Sequence, residues 1–211
     1  LRAARRGVSA GELIGLVLSR ALVAEEFGPQ ASVAWFLLDD YAEWLGQREQ
    51  GIADILALSV VVGPDETPKL RAVVTEAKYV SADTAGEGAR TSKNQLRQTV
   101  QRMEDALFGD PGRLDRDLWL SRISDLLLDG TTALGKSLTL EAVRDGMRKG
   151  DIPIDLRGYS HVFVHGPTDA TVRGDQEPIQ DVKNGLQEMF GREGLRNLIK
   201  AYHAKSPLVA V

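Results

Sequence analysis

The segment Arg71-Ala-Val-Val-Thr-Glu-Ala-Lys-Tyr-Val80 restricts what this chain can fold into more than any other. It is apolar enough to be a buried strand, yet it carries Glu76 and Lys78 two positions apart. Side chains at i and i+2 of a strand point to one face, roughly 6 to 7 Å apart along it, so the carboxylate and the ammonium look into the same space. Burying such charges is costly unless they are paired or used. The preceding apolar run, Gly51 to Val62, is interrupted by one acid, Asp54. The Gly63-Pro-Asp-Glu-Thr-Pro68 link is rich in turn formers, so the two runs are expected to pair as antiparallel neighbours. Asp54, Glu76 and Lys78 would then meet at one point.

The surrounding sequence is mostly helical in pattern. Ser9 offers an N-cap, with Glu12 as its capping-box partner, ahead of an apolar helix to about Phe27 that Gly28-Pro29 stops. Val33 to Leu45 reads as a short strand passing into a helical turn, and 46–50 as a polar connection. The small residues of Ser81 to Ala89 predict a mobile loop. Helices are expected over about 92–108, with Leu96, Val100, Met103 and Leu107 facing inward, and over 114–128 and 139–149. Tyr159 to His165 alternates as a strand, and Pro178 to about His203 reads as one helix broken near Gly191 or Gly194. The expected architecture is an α/β domain, a sheet covered by helices, with extra helices toward the C-terminus.

The 211 residues suffice for one domain and nothing in them demands two. A start at Leu1 rather than Met suggests a domain cut from a longer chain. The absence of cysteine excludes disulfides and thiolate metal sites. No apolar run approaches the roughly 20 residues that span a bilayer, so the expectation is a cytoplasmic protein without a membrane partner. The formal charge of -4 argues against nucleic-acid binding by net charge. Its distribution points the other way locally: Arg90 to Arg102 holds Arg90, Lys93, Arg97 and Arg102 and no acid.

Two acids beside a lysine suit the hydrolysis of a phosphodiester. Magnesium prefers one or two carboxylates together with phosphate oxygens and water. Asp54 and Glu76 would supply the carboxylates, and Lys78 can hold the attacking water and stabilise negative charge in the transition state.

Asp54, a turn, and then Glu76-Ala-Lys78 after apolar residues resemble the Asp…Glu-x-Lys signature of the PD-(D/E)xK nuclease superfamily. The resemblance covers about residues 9–108 and the strand near 160. It implies a restriction-endonuclease-like core: a helix, a three-stranded antiparallel meander, a second helix and a further strand. It also implies a metal-dependent endonuclease acting on DNA with Mg²⁺, or with Mn²⁺ in its place, in a restriction or antiviral defence system. Asp54, Glu76 and the Ala77 carbonyl would bind the metal, and Lys78 would position the nucleophile. Glu12 matches a glutamate that joins the metal site from the first helix in some branches. Gln95 or Gln98 matches a glutamine near the lysine and the scissile phosphate, and Arg90, Lys93 and Arg97 would meet DNA phosphates. Ala53 stands where the signature often has proline, and Thr99 where one branch has tyrosine. Implied partners are DNA, an ATP-dependent translocase, helicase or sensor that recruits the domain, and a second copy of the chain. A nuclease-fold DNA-binding or assembly module without catalysis is the alternative.

Other motifs have plainer readings. Gly130-Thr-Thr-Ala-Leu-Gly-Lys-Ser137 satisfies the phosphate-binding loop pattern. The residues before it look helical rather than strand-like, so it is read as an interhelical loop. His161 and His165, four apart on a strand, are separated by roughly 13 Å, too far to share a metal ion. Both are expected to be structural or on the surface. Trp35, Trp44 and Trp119 are expected core aromatics.

Overall fold

The computed structural model describes residues 10–29, 31–45, 51–62, 67–110, 112–131, 139–166, 176–204, 206 and 208. Helix α1 (Ala10–Phe27) leads into strand β1 (Ala34–Leu37) and, through a 3-10 turn (Leu38–Tyr41), into the single helical turn α2 (Ala42–Leu45). Strands β2 (Ile55–Val62) and β3 (Pro68–Ser81) follow, then helices α3 (Ala85–Phe108), α4 (Leu114–Gly130) and α5 (Leu140–Lys149). The chain closes with β4 (Ile154–His165), β5 (Gln176–Pro178), β6 (Gly185–Phe190) and α6 (Arg192–Ala204). The expected cap at Ser9, the connection 46–50, the turn at 63–66 and residues 132–138 of the glycine-rich loop lie outside the described residues.

The six strands form one mixed sheet in the order β1-β2-β3-β4-β6-β5. β1, β2 and β3 are an antiparallel meander, while β4 runs parallel to β3 and to β6. β3 and β4 are buried apolar runs, as central strands covered on both faces must be. Alternation divides their side chains between two layers. Leu70, Ala72 and Val74 meet Leu96, Val100 and Met103 of α3, which turns inward the residues its spacing predicts, and α4 and α5 complete this larger core. On the opposite face Val73, Ala77 and Phe163 pack beneath Val23 and Leu18 of α1 and Leu195 and Leu198 of α6.

Two expectations are corrected. α3 begins at Ala85, seven residues before the expected start, so the small-residue run is its first turns and only a short turn precedes it. Ala85 and Ala89 pack on Val162 and Val164, and the lack of a side chain at Gly88 leaves α3 close to Val80. Close packing here outweighs glycine's poor helix propensity. The tail is not one broken helix: β5 and β6 precede α6, and the break at Gly191 is the passage from strand to helix. Gln187 turns to the α3 layer while Phe190 stacks on Phe163 at 5.3 Å on the other. Pairing with a buried strand decides the conformation of a segment whose local pattern is ambiguous.

The helix expected before the glycine-rich loop is present as α4. Gly130 ends it against β1, where a Cβ would overlap the Ala34 Cβ and lie 2.9 Å from Phe36 Cζ. This glycine therefore has a packing role. Gly130→Ala is expected to lower stability by about 1–3 kcal/mol through overpacking, measured by urea unfolding.

Candidate active site

The site forms where β3 outruns β2. The β2–β3 pairing begins at Ile55 opposite Thr75, so residues 76–81 of β3 extend beyond the start of β2 and pair only with β4. Asp54 sits at this step. Its N–H donates to the Thr75 carbonyl at 3.0 Å, and its own carbonyl accepts from Leu38 N–H at 2.9 Å. Its carboxylate takes the next free donor: Asp54 Oδ2 accepts from Ala77 N–H at 2.8 Å. The N–H and C=O of one antiparallel strand residue point toward the same neighbour, so the Ala77 carbonyl faces this side too.

Glu76 and Lys78 share the α3 face of β3, as their i, i+2 spacing requires. Lys78 Nζ lies 2.6 Å from Glu76 Oε1, with the Glu76 side chain fully buried and that of Lys78 29% exposed. The ammonium lies off the hydrogen-bond direction, so neither Glu76 oxygen has a well-aligned donor among the described residues. Burial, and then the Asp54 charge, push the Glu76 carboxyl up to about 8. Burial is also the main cause that raises Asp54 to about 6, opposed by the Ala77 N–H and the Lys78 charge. The two acids interact directly, so these values belong to the pair, which titrates over about pH 6 to 8. Burial works against the Lys78 ammonium, but Glu76, Asp54 and Glu12 together hold its pKa above the ordinary lysine value.

The other expected residues fall at varying distances from this centre. Glu12 is exposed in the first turn of α1, and its charge reaches Lys78. Gly15, one turn on, brings α1 against Ala77 and Tyr79. Gln95 packs on Gly51 at the entry to Asp54, with its Oε1 buried and without a partner among the described residues. Gln98 is exposed on α3. Arg90 is exposed near the start of α3, Lys93 pairs with Glu177 of β5 at 2.9 Å, and Arg97 donates to Asn94 Oδ1. His161 is buried, 2.7 Å from Ser19 Oγ and 3.1 Å from Glu188 Oε2, whereas His165 is exposed and stacks on Tyr79. Trp44 and Trp119 pack together at 4.7 Å, and Trp35 lies under Arg20.

Sequence reasoning missed the polar contacts that hold α3 in place. Thr99 Oγ1 accepts from Ala53 N–H at 3.0 Å. Ser92 and Ser160 meet at 2.7 Å, and Gln187 Nε2 donates to both Ser160 Oγ and the Ala89 carbonyl. The available signal was hydroxyls at 92 and 99 on the same side of α3 as Leu96, Val100 and Met103.

Among the described residues no group of three or more His, Asp or Glu side chains is gathered for a metal. The donors present are two carboxylates and a backbone carbonyl. That set suits a hard cation that keeps water and takes further oxygens from its substrate. Two acids that resist joint ionisation, one with no aligned donor, are what a divalent cation would relieve. No family model, curated protein or solved structure matches the chain.

The raised pair fixes a sign for stability against pH. The folded state keeps a proton on Glu76 that the unfolded chain loses near pH 4.5, so folding weakens as pH rises from there to about 8. Wild type is expected to lose about 2–4 kcal/mol more than Glu76→Gln across that window without divalent metal. Denaturant midpoints measured at both ends check this, and equal losses contradict it.

Proposed function

We propose that this chain is a PD-(D/E)xK nuclease domain that hydrolyses DNA phosphodiesters, and that its α1, β1–β2–β3 meander, α3 and β4 form a restriction-endonuclease-like core. The observation that carries this reading is the meeting of Asp54, Glu76 and Lys78 at the step between β2 and β3. The element order and the parallel β3–β4 pairing support it, as does the run of basic residues from Arg90 to Arg102 on α3, the helix that packs on β3.

Asp54, Glu76 and the Ala77 carbonyl would hold Mg²⁺, with Mn²⁺ as its substitute. When bound, the cation offsets phosphate charge and lowers the pKa of a coordinated water. The chain's own residues supply the rest. Ala77 N–H fixes the half-buried Asp54 carboxylate, and burial keeps Glu76 in a low-dielectric setting where its charge acts strongly. Lys78 stays protonated and part-exposed, placed to orient the attacking water and to stabilise charge growing on the phosphate. Arg90, Lys93 and Arg97 would take DNA phosphates, giving salt-dependent binding without sequence readout. We further infer an endonuclease of a prokaryotic defence or restriction system. Recruitment by a translocase, helicase or sensor would supply the recognition that these phosphate contacts lack.

The test is cleavage of linear and circular plasmid DNA with Mg²⁺, beside EDTA and folded Asp54→Asn and Lys78→Ala variants. Metal-dependent cutting of the circle is expected, with each variant slower by about 100-fold or more. DNA binding with equal inactivity of wild type and variants would favour the non-catalytic module.

A further inference from the structure

Thr99 stands in the middle of α3 and is fully buried. Its hydroxyl donates to the Gln95 carbonyl one turn back at 3.0 Å, a local bond that fixes the rotation of the O–H. The hydroxyl oxygen also accepts from Ala53 N–H at 3.0 Å. Ala53 is itself fully buried and precedes the first residue of β2, so the sheet ladder does not reach this amide. Gly51, two residues earlier, sits so close to the Gln95 side chain that a Cβ would lie 2.5 Å from Nε2. The approach to Asp54 is thus held by α3, while Asp54 itself is held by Thr75, Leu38 and Ala77.

Of the proposed metal donors, Glu76 and Ala77 lie within a long strand, whose ladder sets their position. Asp54 lies just outside β2: its own N–H reaches the Thr75 carbonyl, while the residues before it, Ala53 and Gly51, meet α3 rather than a neighbouring strand. We propose that Thr99 is a positioning residue for this site, acting through Ala53 to set the Asp54 carboxylate against Glu76. The inference rests on the nuclease reading and deepens it. It also ties the residue before Asp54 to α3, the helix that carries the phosphate-binding candidates Arg90, Lys93 and Arg97.

Thr99→Val keeps the side-chain shape and removes the hydroxyl. Thr99→Ser keeps the hydroxyl. Ser59→Ala is the control, because it removes a hydroxyl bond to the Ser32 carbonyl at 2.9 Å farther along β2. Each variant is followed by calorimetric titration with Mg²⁺, by the Mg²⁺ dependence of DNA cleavage and by amide exchange at Ala53. Thr99→Val is expected to weaken Mg²⁺ binding about tenfold, the scale at which supporting hydrogen bonds act on metal ligands. It should speed Ala53 exchange and raise the Mg²⁺ needed for half-maximal cleavage more than it lowers the rate at saturation. Thr99→Ser should restore most of the affinity, and Ser59→Ala should leave it unchanged. Wild-type affinity in Thr99→Val, or an equal loss in Ser59→Ala, overturns the positioning role. A wild type that neither binds Mg²⁺ nor cuts DNA overturns the nuclease reading instead.

Discussion

The carboxylate of Asp54 accepting the N–H of Ala77 is the interaction on which the site depends. An antiparallel pair whose strands end at different points leaves backbone groups of the longer strand without ladder partners. Here a side chain from the entry to β2 takes the first such donor on β3. This ties the acid to the backbone between Glu76 and Lys78 and brings two carboxyls close enough to oppose each other's ionisation. A buried arrangement of this kind weakens an isolated fold, and carboxyls perturbed in this way cluster at functional sites.

The rest of the architecture serves that point. The apolar β3 and β4, paired in parallel over twelve positions, form a rigid floor that neither slips nor bends easily. A slip of one residue would send Glu76 and Lys78 to the α1 face and Ala77 into the α3 layer. The large core under α3 prevents this by requiring Leu70, Ala72 and Val74 on its own side. The hydrogen bonds among Ser92, Ser160 and Gln187 then fasten the start of α3, and Thr99 fastens its middle to the Asp54 loop.

The central part of the fold and site was legible in the sequence because it follows from periodicity and turn chemistry. The i, i+2 spacing of Glu76 and Lys78 put them on one face, and the turn-rich link aligned Asp54 with them. Leu96, Val100, Met103 and Leu107 marked the inner side of α3. The early start of α3 was not legible, since Gly86 and Gly88 are poor helix formers and what favours a helix there is the contact of Ala85, Gly88 and Ala89 with Val80, Val162 and Val164. The same holds for β6, which takes its conformation from pairing with β4. Gln98 illustrates a further gap: the family resemblance nominated both glutamines, and packing turns Gln95 toward Gly51 while leaving Gln98 exposed. Thr99 was noted only as a departure from the family pattern, and its role escaped notice because the hydroxyl's contact lies with a residue 46 positions away.

The most direct measurement is the number of protons released when Mg²⁺ binds, obtained by calorimetry at neutral pH in buffers of different ionisation enthalpy. If Asp54 and Glu76 form the cation site, binding must displace the proton they share. Release approaching one proton per cation is expected in wild type, and its loss in Glu76→Gln. Absence of binding at millimolar Mg²⁺, or equal binding without proton release in both proteins, would contradict it.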